Sequence, residues 1–115
     1  MPLKKLTKLE IVACLQRLSE LAQAEGVRLE VTLYGGAVML LAYDARDVTK
    51  DVDAIVHPPE VGRRLVARVA AERGMSESWL NDDVKLYIST MEAKNEMVVS
   101  GVSAAGLHLT RPTAK

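Results

Sequence analysis

Leu33-Tyr34-Gly35-Gly36-Ala37-Val38-Met39-Leu40-Leu41, followed by Thr49-Lys50-Asp51-Val52-Asp53-Ala54-Ile55-Val56, is the stretch that decides the fold. Upstream of the glycines, Val27, Leu29, Val31 and Leu33 alternate with Arg28, Glu30, Thr32 and Tyr34. That period of two predicts a half-buried strand over 27–34. The glycine pair ends it and opens a short apolar helix over 37–43. A charged loop over 44–50 leads to a second strand over 50–56, with Asp51 and Asp53 on one face. A strand, a helix and a strand of this kind predict an α/β domain with a small mixed β-sheet and helices packed on it.

Working outward, Thr7-Lys8-Leu9-Glu10 has capping-box spacing, with Thr7 as N-cap and Glu10 at the third helical position. Ile11, Cys14, Leu15, Leu18, Leu21 and Ala22 recur at helical spacing and predict one buried stripe, closed by Gly26. Beyond the second strand, His57-Pro58-Pro59-Glu60 starts another helix, since proline is tolerated in a first turn. That helix buries Val61, Leu65, Val66 and Val69 and ends near Gly74. Its other side carries Arg63, Arg64, Arg68 and Arg73, which reads as a solvated face or a basic patch for RNA. Trp79-Leu80-Asn81-Asp82-Asp83 leads into a short helix through Val84, Leu86 and Ile88, capped by Asn81 or Asp82. Two strands, 96–102 and 106–110, complete the pattern.

The chain has 115 residues, which suits a single domain, 1–115, with one modest core. Its 15 basic and 15 acidic residues cancel, so composition supplies no bulk attraction to nucleic acid or to an anionic membrane. No apolar run reaches the roughly 18 residues that span a bilayer. The N-terminus lacks a signal-peptide core, and the one cysteine, Cys14, has no partner for an internal disulfide. A cytoplasmic protein without a membrane anchor is the expectation.

Chemistry concentrates in the two opening words. Glycines between a strand and a helix let backbone N–H groups approach a ligand at a helix N-terminus, where phosphate is the natural guest. A plain structural turn would use the same residues. Asp51 and Asp53, two apart on a strand, would project to one side at roughly 6.5–7 Å backbone spacing. Two such carboxylates either face water, paired with Lys50 or Arg46, or share divalent cations that relieve their repulsion.

In order and spacing, Leu33 to Val56 resembles the nucleotidyltransferase superfamily. More narrowly it is similar to small bacterial members related to abortive-infection and toxin–antitoxin nucleotidyltransferases. Thr49-Lys50-Asp51-Val52-Asp53 and Trp79-Leu80-Asn81 are words that look like theirs. The resemblance implies a minimal nucleotidyltransferase-like fold and a Mg²⁺-dependent transfer of a nucleoside monophosphate from an NTP to an RNA or protein hydroxyl. Gly35 and Gly36 would cradle the β and γ phosphates, with Lys50 beside them. Asp51 and Asp53 would be the catalytic metal ligands, and Thr49 would orient the acidic strand. An antitoxin-type protein is an implied partner.

Where relatives place a third carboxylate, Leu107-His108-Leu109 offers a histidine, and Glu96 is another substitute. The relatives often carry an arginine two residues before the threonine, where this chain has Asp47, with Arg46 one residue earlier. The relatives also continue into further helices beyond the position of Lys115, so this chain reads as C-terminally shortened. An apolar sheet face or edge left open would then favour a homo-oligomer. The alternative to an enzyme is a catalytically inactive nucleotidyltransferase-fold module that binds a partner or dimerises.

Overall fold

A computed structural model describes residues 5–43, 48–86 and 93–113. In chain order the elements are β1 (Leu6–Thr7), α1 (Lys8–Ala24), β2 (Leu29–Tyr34), α2 (Gly35–Ala42), β3 (Val48–Thr49), β4 (Val52–His57), α3 (Pro59–Arg73), β5 (Leu80–Asn81), β6 (Lys94–Met97) and β7 (Leu107–Pro112). Single 3₁₀ turns stand at Glu77–Trp79 and Asp83–Leu86. Five strands form a mixed sheet in the order β5-β4-β2-β7-β6, and β1 pairs separately with β3. The architecture is α/β, with a small mixed sheet and packed helices.

α1 begins as its sequence dictates. The Thr7 side chain accepts from the Glu10 N–H, and the Glu10 carboxylate accepts from the Thr7 N–H at 3.2 Å. At the far end Gly26 takes φ 73 and the Val27 N–H reaches back to the Ala22 carbonyl at 2.9 Å, a left-handed stop that glycine enters without strain. The whole expected stripe, including Cys14, is buried. α3 ends the same way at Gly74, φ 64.

The sheet has two unlike faces. Leu29, Val31 and Leu33 on β2 stand beside Val52 and Ala54 on β4 and Leu107 and Leu109 on β7, all buried. With apolar residues of α1, α2 and α3 they make one hydrophobic cluster. Burial of those alternating residues is the main stabilisation of the fold. The loop before β7 is docked on α1 through Ser19, a fully buried hydroxyl that donates to the Ser103 carbonyl at 2.7 Å and accepts from the Gly106 N–H at 3.2 Å. Trp79 is buried too and donates its indole N–H to the Val66 carbonyl at 3.0 Å.

The second face carries Glu30, Thr32 and Tyr34 on β2, Asp53, Ile55 and His57 on β4, and His108 and Thr110 on β7. It is therefore largely polar among the described residues, not the open apolar surface expected to drive self-association. Thr32 and Tyr34 are nevertheless buried, so β2 is covered on both sides near its C-terminal end rather than half-buried. Several boundaries also move. β4 starts at Val52, which leaves Asp51 in the bend before it; β6 stops at Met97; and the expected helix after Trp79 is a short strand and one 3₁₀ turn. Arg46, Asp47 and Ile88 lie outside the described residues.

Candidate functional site

β2 and β4 pair antiparallel with Tyr34 opposite Asp53. The next residue, Gly35, opens α2 at φ 60, and a Cβ built on it would lie 3.2 Å from Asp53 Oδ2. Glycine is required there twice, by the backbone conformation and by the carboxylate lying over it. The Asp53 carboxyl is pushed above the usual aspartate range, first by burial and then by the charges of Asp51 and Asp83. Each cause disfavours the ionised form, so Asp53 sits in a field a cation would relieve. Asp51 is steadied by Thr49, whose hydroxyl donates to the Asp51 carbonyl at 3.1 Å. Lys50 is exposed, and among the described residues no lysine or arginine pairs with Asp51 or Asp53.

Asp83 is the member of this group that sequence reasoning missed. β5 lies parallel to β4 with Asn81 beside Asp53. The Asn81 side chain then accepts from the Asp83 N–H at 3.2 Å, the capping role expected of it. That turn brings Asp83 close enough to act on Asp53. Asp82 is engaged elsewhere, with Lys85 at 3.1 Å. Only the pairing of β5 with β4 carries this information, and a two-residue strand leaves almost no periodic trace.

His108 and Glu96 belong to a different place. On the polar face, Glu30 is level with both His57 and His108, whereas Asp53 is level with Tyr34. Glu30 and Tyr34 are four residues apart, so His108 stands about 13 Å along the sheet from the aspartates. Its ring is held between two carboxylates, Nδ1 to Glu30 and Nε2 to Glu96 at 3.1 Å. Hydrogen bonds to Glu30 and then Glu96 raise its pKa. The imidazole clasps β2, β7 and β6 together; it does not complete the acidic pair.

Two cavities border the region. One of about 680 Å³ lies between α3 and the β4–β5 edge, with Ala54, Val56, Gly62 and Leu80 at its base and Arg63 and Glu77 among its charged residues. The other, about 430 Å³, opens at the glycine turn and is lined by Tyr34, Gly35, Gly36, Met39, Tyr43 and Arg111 among others. Two of the four arginines on the arginine-rich side of α3, Arg64 and Arg68, have carboxylate partners. Arg64 grips Glu25 with two 2.7 Å bonds, and Arg68 shares Glu72 with Arg17. Glu25 and Glu72 are held below the usual glutamate range, by Arg64 and Arg17 respectively.

Among the described residues, no three His, Cys, Asp or Glu side chains group closely enough to hold a metal ion. A Mg²⁺ site needs fewer protein ligands, because that ion keeps waters and takes substrate phosphates beside one or two carboxylates. Asp51 and Asp53, mutually repelling beside an open glycine backbone, fit that requirement. No family model matches the chain, and no curated protein or solved structure matches it either. Among the described residues no helix is long and apolar enough to cross a membrane.

Proposed function

We propose that this chain is a nucleotidyltransferase-like domain whose Asp51–Asp53 ledge, beside Gly35, binds the triphosphate of an NTP together with Mg²⁺. The observation that carries the proposal is the Asp53 carboxylate lying over Gly35 in a field of like charge, with no paired cation among the described residues to balance it. Bound Mg²⁺ would supply charge neutralisation at the α-phosphoryl group and the leaving pyrophosphate. The protein's own part is positional. Gly35 and Gly36 admit phosphate oxygens against the start of α2, Thr49 fixes the bend that presents Asp51, and Asn81 anchors the turn that carries Asp83. Lys50, exposed beside the pair, adds a positive charge for the phosphates. The acceptor is an RNA or protein hydroxyl, and an antitoxin-type protein is the partner class.

A second proposal shares the fold without the transfer step: a catalytically inactive module that binds a partner or dimerises. What favours it is His108, which is tied up by Glu30 and Glu96 far from the aspartates and leaves the acceptor without a base on β7. Incubation with each α-labelled NTP, Mg²⁺ and total RNA or protein from a bacterial lysate separates the two. Label transferred by the wild type and lost in Asp51→Asn/Asp53→Asn supports the enzyme. No transfer of any nucleotide supports the inactive module.

A further inference from the structure

The two edges of the main sheet are unlike. At one, β5 is only two residues long; at the other, β6 runs Lys94–Met97 and, among the described residues, no strand pairs with its outer side. The Thr113 N–H donates to the Ala93 carbonyl at 2.9 Å, one step beyond the pairing of Lys94 with Pro112. Position 93, and with it 95 and 97, therefore turns its backbone N–H and C=O toward β7. Lys94 and Glu96 turn theirs outward, and Pro112, opposite Lys94, has no N–H to lose from the ladder. The side chains of Lys94 and Glu96 share the polar face, and both residues are exposed. An edge that offers unpaired backbone groups is a template for another strand.

We infer that β6 is a dimer edge, where a second copy of this chain adds its own β6 antiparallel about a two-fold axis at Asn95. Outward-facing residues must meet outward-facing residues, so the axis falls on a residue and not between two. An axis on Lys94 or Glu96 sets like charges face to face, and one on Met97 leaves no other β6 residue paired. An axis on Asn95 sets Lys94 opposite Glu96 of the partner subunit, and the symmetry repeats that pair. Each pair exchanges two backbone hydrogen bonds and brings opposite charges together across the strands. Glu96 gives Oε2 to His108 at 3.1 Å, which leaves Oε1 for the lysine. A charge on an edge strand ordinarily keeps a second copy away, but the order Lys-x-Glu makes this edge self-complementary. The contact needs no nucleotide, so it stands apart from the donor-site proposal, and it gives the dimerising module of the second reading its surface.

The test is sedimentation of the full chain from micromolar to millimolar concentration, without nucleotide, on the wild type, Lys94→Glu, Glu96→Lys, the exchange Lys94→Glu/Glu96→Lys, and Lys94→Pro. The wild type should dimerise reversibly. Each single charge variant puts two like pairs where two opposite ones stood and should weaken dimerisation about tenfold. An equimolar mixture of those two variants should associate as the wild type does, because every pair across the edge is opposite again. The exchange variant should recover most of the association for the same reason. Lys94→Pro removes an outward N–H without touching the β7 ladder and should weaken the dimer as well. Melting curves identify any variant that fails to fold; if Glu96→Lys does, having lost its bond to His108, Lys94→Glu and Lys94→Pro decide. A wild type that stays monomeric throughout overturns the edge. So does a dimer indifferent to Lys94→Glu and Lys94→Pro, or a mixture of the single charge variants that associates no better than either alone. A dimer with these dependences that binds no NTP with Mg²⁺ upholds the edge and removes the donor site.

Discussion

Replacing Gly35 by alanine would test the geometry at the centre of the site. At φ 60 an alanine occupies the left-handed region, at a cost of roughly 1–2 kcal/mol. Its Cβ would also press on Asp53 Oδ2 at 3.2 Å, and turning that carboxylate off its rotamer adds about 0.5–1.5 kcal/mol. A loss of about 1.5–3.5 kcal/mol follows, or roughly 6–14 °C in melting temperature for a domain of this size. Gly74 supplies an internal control, because it has φ 64 and a Cβ there would meet nothing within 4 Å. Gly74→Ala should show the backbone cost alone. Urea unfolding followed by Trp79 fluorescence would measure both, since that single tryptophan is buried in the core. The excess at Gly35 should shrink in an Asp53→Ala background. Equal losses at the two glycines, or an excess unchanged by removing Asp53, would refute the close approach.

Three further outcomes follow from the structure. The Asp53 pKa is raised, so its ionised form opposes folding above that raised value, and the penalty is absent below the ordinary aspartate value of 3.8. Asp53→Asn should therefore melt above the wild type at pH 7 and lose its advantage near pH 3, as thermal scans across that range would show. His108 also has a raised pKa, but as a base its clasp contributes fully below pH 6.5 and fades as pH rises through the higher folded value. His108→Ala should cost about 0.5–1 kcal/mol at pH 6, a modest sum for a partly exposed pair, and almost nothing at pH 9 in urea titrations. Ser19→Ala should cost about 1–3 kcal/mol at any pH, because it strips partners from the half-buried Ser103 carbonyl and the buried Gly106 N–H; the midpoint of urea unfolding reads this directly.

Much of the scaffold was legible in sequence because it rests on local rules. The Thr7–Glu10 capping box, the buried stripe of α1, the alternation along β2 and the glycine stops of α1 and α3 each depend on neighbours within a few positions. What escaped depends on pairing between distant strands. Alternation predicted Thr32 and Tyr34 on a wet face, but a central strand is covered near its end whatever its period. Leu107-His108-Leu109 resembled a third acidic position, yet the parallel register sets His108 level with Glu30 instead of Tyr34. Asp83 was invisible as a neighbour of Asp53 because it reaches that carboxyl through a two-residue strand. The closeness of Gly35 to Asp53 was legible because one strand leads into the glycines and the next carries the aspartate, and their antiparallel pairing sets Tyr34 opposite Asp53.

Calorimetric titration of each NTP, with and without Mg²⁺, on the wild type and on Asp51→Asn/Asp53→Asn tests the donor site most directly. Saturable binding that requires Mg²⁺ and vanishes in the double variant is the predicted result. Binding indifferent to Mg²⁺ and to both aspartates, or no binding of any NTP, would contradict it.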